Sequence, residues 1–339
     1  MSVFSFVSLP HLMIRAEKIF SISNKSEFDS LTWEIFRYQL KTNPVYNSYF
    51  HHLGIGLETI KTIEQIPFLP IEMFRDHQVI TGNMMPSIIF ESSGTTGQKT
   101  SKHYVVSENI YQNSFLKAFQ SSYGAPEDLC ILALLPSYLE RNNSSLVYMM
   151  DHLINRSLHP DSGFYLDNLK PLSEILEKRG ADNHPTLLIG VSFALLDLAE
   201  KYPMPLSKNV IVMETGGMKG RRKEMIKEEL HDILKKGLGA TFIHSEYGMT
   251  ELLSQAYSKG NNRFTPPPWM KVMIRDMYDP FTILPAGQSG GINIIDLANL
   301  NSCSFIATSD LGKAYDDGTF EVTGRFDQSD VRGCNLMVI

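Results

Sequence analysis

Glu91-Ser-Ser-Gly-Thr-Thr-Gly-Gln-Lys-Thr-Ser-Lys102 places six hydroxyl side chains, two glycines and two lysines between two apolar runs. The run before it, Pro86-Ser-Ile-Ile-Phe90, and the run after it, Lys102-His-Tyr-Val-Val106, have the β-branched and aromatic content of strands. The stretch is therefore expected to be the tip of a hairpin. Gly94 and Gly97 permit positive φ and let backbone N–H groups converge on an anion. Ser92, Ser93, Thr95 and Thr96 add hydroxyl donors, and Lys99 adds a cation. A Walker A loop needs Gly directly before Lys-Ser/Thr and a helix directly after. Here Gln98 precedes Lys99-Thr100 and a strand pattern follows, so that reading fails. Taken alone, the stretch fits an ordinary polar turn as well as a phosphate loop.

The 339 residues, 43% of them hydrophobic, suffice for one large core or two smaller ones. The longest apolar stretches, Ile131-Leu-Ala-Leu-Leu-Pro136 and Thr186-Leu-Leu-Ile-Gly-Val191, are too short to cross a bilayer, so no membrane span is expected. The N-terminus lacks the basic start and small-residue cleavage site of a signal peptide, which predicts a cytoplasmic protein. A net charge of −6 leaves no electrostatic footprint for nucleic acid. The basic cluster Lys219-Gly-Arg-Arg-Lys223 is interleaved with nearby acids as a solvated helix face. Three cysteines, at 130, 303 and 334, have neither metal-ligand spacing nor an even count for a disulfide framework. Cys130 and Cys303 lie in apolar runs and read as core.

Up to about residue 85 the pattern is helical, with Phe28, Leu31, Ile35 and Tyr38 on one face of a helix over 26–40. The double-proline run 66–74 reads as a buried connector. A helix is predicted from Ser107, with Tyr111, Phe115 and Phe119 recurring every fourth residue. Strand-like runs over 129–135, 186–190, 209–213 and 240–244 alternate with helical segments, among them 225–238, whose apolar face is Ile226, Leu230, Ile233 and Leu234. That alternation is the signature of an α/β sheet. From residue 263 short strands dominate, at 272–275, 291–295 and 303–307.

Four further segments carry candidate binding chemistry. Met213-Glu-Thr-Gly-Gly-Met218 ends a strand and supplies the pair Gly216 and Gly217. His244-Ser-Glu-Tyr-Gly-Met-Thr-Glu251 leaves a strand and is predicted to enter a helix, with Gly248 at the bend. It offers Tyr247 as a π-face, Thr250 as a hydroxyl and Glu251 as a carboxylate for a cation such as Mg²⁺. Asp310 lies in Thr308-Ser-Asp-Leu-Gly312, and Arg325 in Asp317-Gly-Thr-Phe-Glu-Val-Thr-Gly-Arg-Phe-Asp327. Each segment by itself also fits a surface turn.

Their order resembles that of the adenylate-forming enzymes, with a Ser/Thr-Gly loop, a Gly-Gly shelf, Tyr-Gly-x-Thr-Glu, Ser-Asp-x-Gly and Gly-Arg-x-Asp over residues 86–333. The resemblance departs at Lys99, where the family usually has Pro, and at Thr100, where many members have Lys. It implies ATP and Mg²⁺ as cofactors, with Ser92, Ser93, Gly94, Thr95, Thr96, Gly97 and Lys99 on phosphate and Gly216 and Gly217 under adenine. Tyr247 would stack on the base, with Gly248 beside it, Thr250 near the α-phosphate and Glu251 on the metal. Asp310 would hold ribose hydroxyls and Arg325 would lie near ribose and phosphate. The fold it implies is α/β, the family's large N-terminal domain: α/β sheets with flanking helices plus a smaller β-rich subdomain. Residues 1–325 would form it (helical 1–85, nucleotide-binding 86–262, β-rich 263–325), with a hinge and tail over 326–339.

The family's mobile C-terminal domain with its catalytic lysine is not expected, since the sequence given ends 12 residues past Asp327. Catalysis without that lysine, substitution by Lys99 or Lys102, and a different role altogether remain alternatives. Cys334 follows Gly333 near the end, with Arg332 beside it. In this the chain looks like the short acyl-protein synthetases of bacterial fatty-acid reductase complexes. Ile66-Pro-Phe-Leu-Pro70, Pro136-Ser-Tyr-Leu-Glu-Arg141, Ser144-Ser-Leu-Val-Tyr148 and Pro267-Pro-Trp-Met270 support that likeness. The implied activity is ATP-dependent activation of a fatty or other carboxylic acid, acylation of Cys334 and transfer to an acyl-accepting reductase subunit. The alternatives are an acyl- or aryl-CoA ligase resembling the phenylacetate-CoA ligases, and a subunit that binds nucleotide or acyl group without turnover. His244, next to the Tyr-Gly segment, is expected to be structural or to line an acyl pocket.

Overall fold

The computed structural model describes residues 14–92, 99–135, 143–166, 168–216 and 225–326. The N-terminal part contributes α1 (Ala16–Ile19), α2 (Lys25–Thr42) and α3 (Pro44–His52). Asn24 caps α2 by accepting from the Glu27 N–H, and Glu27 returns the favour by accepting from the Ser23 N–H. Phe28, Leu31 and Ile35 of α2 are buried as the pattern predicts, and Tyr38 is partly buried. Two buried amides fix this layer to the rest of the protein. Gln39 donates to the carbonyls of Asn299 and Leu300 and accepts from the Ser304 N–H, while Asn43 donates to the Ser302 carbonyl. The double-proline connector forms the two-residue strand β1 (Leu69–Pro70), which leads into the single turn α4 (Met73–Asp76).

β2 (Ile88–Glu91) and β3 (Lys102–Val105) pair antiparallel as a separate hairpin, in agreement with the sequence pattern. Helix α5 (Glu108–Tyr123) follows, capped by Ser107, with Tyr111, Phe115 and Phe119 buried. The chain then alternates through β4 (Cys130–Leu134), α6 (Ser145–Ser157), β5 (Gly163–Phe164), α7 (Leu169–Asp182), β6 (Thr186–Val191), α8 (Ser192–Lys201), β7 (Val210–Thr215), α9 (Lys227–Leu238) and β8 (Ile243–Tyr247). β4 and β6 are buried throughout, as parallel strands covered on both faces must be. Ile226, expected on the apolar face of α9, instead precedes the helix as its N-cap and is 68% exposed.

The remaining strands are β9 (Ala256–Ser258), β10 (Phe264–Thr265), β11 (Met270–Arg275), β12 (Ser289–Asp296), β13 (Phe305–Ala314) and β14 (Phe320–Arg325). Among the described residues they continue the same sheet, in the order β11-β12-β13-β14-β10-β9-β8-β7-β6-β4-β5, with β1 alongside β13. The half from β5 to β8 is parallel, and from β8 through β9 to β11 every pairing is antiparallel. The helix predicted after Gly248 is absent. Residues 248–255 turn back so that β9 pairs antiparallel with β8. The reason is a distant side chain: the buried Asp296 carboxylate captures the N–H groups of Leu253 and Ser254, which a helix would have used internally. Cys130 and Cys303 are buried, and no described helix is long and apolar enough to cross a membrane.

Candidate functional site

The carboxyl ends of β7 and β8 meet the antiparallel half of the sheet, and Tyr247, Glu251, Asp310 and Arg325 come together there. Tyr247, the last residue of β8, is buried with its ring against the edges of Phe264 and Phe320 at 5.7 and 5.3 Å. Its hydroxyl donates to Asp310 Oδ2 at 2.8 Å, and Arg325 Nε donates to Asp310 Oδ1 at 2.8 Å. Asp310 and Arg325 are direct register partners across the β13–β14 hairpin, which is how residues 15 apart in sequence come to touch. A carboxylate has about four acceptor positions, so Asp310 retains capacity beyond these two bonds. Burial and the Asp310 charge push the Tyr247 phenol well above its ordinary range, and the same charge raises the Arg325 guanidinium.

Glu251 is buried beside this group. Burial raises its carboxyl above the usual range against the opposing pull of the Ser101 hydroxyl and of the Arg325 charge. Ser101 belongs to the return arm of the β2–β3 hairpin, so the hairpin and the Tyr-Gly-x-Thr-Glu segment meet at this carboxyl. The turn is held on all sides: His103 Nδ1 bonds the Thr250 carbonyl at 2.8 Å, Asn299 donates to the Glu251 carbonyl, and Leu252 N–H bonds the Met249 carbonyl. Gly248 is exposed, and a Cβ on it would stand 2.5 Å from Glu246 Oε1. On the neighbouring strand, Gly216 takes φ +67 and its carbonyl accepts from the Ser192 hydroxyl.

Lys99 does not join this cluster; its ammonium pairs with Asp76 of α4 at 3.1 Å, while Lys102 pairs with Glu91 across the hairpin at 3.2 Å. Ser92 closes the base of the loop, its N–H donating to the Ser101 carbonyl and its Oγ accepting from the Ser101 N–H. Ser93, Gly94, Thr95, Thr96, Gly97, Gly217 and Cys334 lie outside the described residues. His244 is engaged with the Tyr123 hydroxyl at 3.1 Å, and burial lowers it to about 4.

Sequence reasoning missed a buried acidic pair behind the strand ends. Glu214 is held ionised by Lys227 at 3.1 Å and by His231, which outweigh its burial, whereas burial lifts Glu246 to about 7 although the Thr215 hydroxyl donates to it. Burial is the main cause of the Glu246 rise, and the Glu214 charge adds to it. It also missed Ser101, His103, Asp296 and Asn299. Of these only Ser101 and His103 carried a signal, by adjoining the loop on an alternating strand.

The site offers one buried carboxylate, Glu251, as a candidate partner for a nucleotide-bound cation. Among the described residues no group of three or more His, Cys, Asp or Glu could hold a metal on protein ligands alone. Mg²⁺ bound to a nucleotide takes one or two carboxylates with phosphate oxygens and water, and Glu251 fits that lesser requirement.

No protein-family model and no curated protein sequence matches the chain. Solved structures do. A 2-hydroxyisobutyryl-CoA ligase in complex with 2-HIB-AMP and CoA superposes with a TM-score of 0.68 at 15% identity, over 91% of this chain and 70% of that one. The open conformation of the same ligase gives a TM-score of 0.65 at 14% identity, over 89% and 70%. ATP-bound MatB from Rhodopseudomonas palustris gives 0.52 at 16% identity over 70% of this chain, which spans 47% of MatB's length. At these identities the likeness establishes architecture. The chain has the α/β fold of the large domain of adenylate-forming enzymes.

Proposed function

We propose that this chain is an ATP-dependent ligase that activates a carboxylic acid, in our reading a fatty acid, as its adenylate and then takes the acyl group onto Cys334. The observation that supports it most is the meeting of Glu251, Ser101, Tyr247, Asp310 and Arg325 at the ends of β7 and β8. The neighbours' bound ligands, an acyl-AMP with CoA in one and ATP in another, lend support of a coarser kind.

In the first step a carboxylate oxygen attacks the α-phosphorus. The new C–O–P linkage forms as the bond to pyrophosphate breaks. This chemistry needs positioning and charge neutralisation rather than a protein nucleophile. Loop residues 92–97 would hold the phosphates, Thr250 the α-phosphate, Gly216, Gly217 and Gly248 the crevice for the base, Tyr247 the base itself, and Asp310 with Arg325 the ribose. Glu251 would hold Mg²⁺, which when bound neutralises phosphate charge. In the second step the Cys334 thiolate attacks the acyl carbonyl, a C–S bond forms, and AMP departs with the anhydride electron pair. A nearby cation favours a thiolate, and Arg332 lies two positions before Cys334 in the sequence. The acyl group would then pass to a reductase subunit.

A second reading, acyl transfer to coenzyme A, is favoured by the CoA bound in the hydroxyisobutyryl-CoA ligase. One assay separates the two. With Mg²⁺-ATP and labelled fatty acid, wild type is expected to acquire a hydroxylamine-sensitive adduct that Cys334→Ser lacks, with release of pyrophosphate. Label found only on added coenzyme A would establish the second reading, and neither adduct nor pyrophosphate would leave a binding protein.

A further inference from the structure

We propose that His103 is a positioning residue that ties the β2–β3 hairpin to the Thr250–Glu251 turn through an Nδ1–H bond to the Thr250 carbonyl. Its consequence for catalysis rests on the adenylation reading; the tie itself does not. His103 is fully buried on β3, edge-on to Phe74 with ring centroids 5.7 Å apart. Its Nδ1 lies 2.8 Å from the Thr250 oxygen, and a carbonyl only accepts, so Nδ1 carries the proton. Burial drives the ring down to about 4, which leaves it neutral and Nε2 bare, and Nε2 has no hydrogen-bond partner among the described residues.

A phenyl ring would fill much the same space without an unpaired buried nitrogen. What the imidazole adds over phenyl is therefore the single bond to Thr250. The other buried side-chain anchors of the turn are Asp296, the last residue of β12, and Asn299 in the short helical turn that follows it. His103 comes from the hairpin, two residues from Ser101, so its bond sets the distance between the anion loop's return arm and the Glu251 carboxyl.

The test compares His103→Asn, whose amide nitrogen falls near the Nδ1 position, with His103→Gln, whose amide nitrogen falls near Nε2, and with His103→Phe. In ¹⁵N-imidazole spectra of the wild type, His103 is expected as the Nδ1–H tautomer. Hydrogen exchange over residues 249–254 should quicken about tenfold or more in the Phe and Gln variants and stay within about threefold of wild type in the Asn variant. Acid-dependent ATP–pyrophosphate exchange should lose about 10–100-fold in kcat in Phe and Gln, and Asn should recover most of it. An Nε2–H tautomer, unchanged protection of the turn in His103→Phe, or an Asn variant as impaired as Phe overturns the proposal. A wild type without any pyrophosphate exchange ends the adenylation reading instead, and the spectra and hydrogen exchange still decide the tie.

Discussion

Glu251→Gln is expected to lower acid-dependent ATP–pyrophosphate exchange by roughly 10²–10³-fold, the usual cost of losing one group that neutralises transition-state charge. The folded protein should tolerate the change. The Glu251 main-chain carbonyl keeps its bond from Asn299, and a neutral amide still offers a partner to the Ser101 hydroxyl. Because burial already disfavours the ionised side chain, removing its charge relieves a desolvation cost. Thermal unfolding of Glu251→Gln should therefore begin no lower than in wild type. Retention of full exchange activity would remove Glu251 from the metal site. A variant that both unfolds early and loses activity would make the residue structural.

Asp296→Ala should carry the largest stability loss, about 3–5 kcal/mol, because each buried N–H left without a partner costs about 1–3 kcal/mol. Its Oδ2 accepts from the N–H groups of Leu253 and Ser254 at 2.9 and 3.0 Å, and its Oδ1 from the Ser254 hydroxyl at 2.6 Å and the Ala298 N–H at 3.1 Å. Alanine leaves three buried N–H groups unpaired. Linkage adds a second signature, since burial lifts this carboxyl to about 6 in spite of those four donors. The folded state then binds more protons than the unfolded chain between pH 4 and 6, so this group's contribution weakens as pH rises through that window. Denaturant titrations at pH 4, 5 and 6 should show the slope in wild type and its loss in Asp296→Ala. Equal stability of variant and wild type at all three values would contradict this account.

Local chemistry explains which parts were readable from the sequence. β4 and β6 were legible because continuous apolar runs bounded by turns have no exposed alternative. The hairpin was legible because its arms alternate about a loop rich in glycine and hydroxyls. Asp310 and Arg325 were readable as separate candidates, while their pairing followed only from the register of β13 and β14. The segment after Gly248 misled because its local pattern permits a helix. The decision lies with Asp296, more than 40 residues away, whose carboxylate offers the turn's amides a better partner than a helix would. Ile226 was misassigned because helical periodicity runs past the cap that ends it. Lys99, a cation inside the phosphate-loop pattern, is directed instead to Asp76 on α4.

The most direct test of the central claim is a crystal structure with Mg²⁺ and a non-hydrolysable ATP analogue bound. The account predicts the base beside Tyr247, ribose hydroxyls on Asp310, the metal on Glu251 and the phosphates under the 91–102 hairpin loop. Nucleotide bound away from the ends of β7 and β8, with Tyr247, Glu251 and Asp310 untouched, would contradict it.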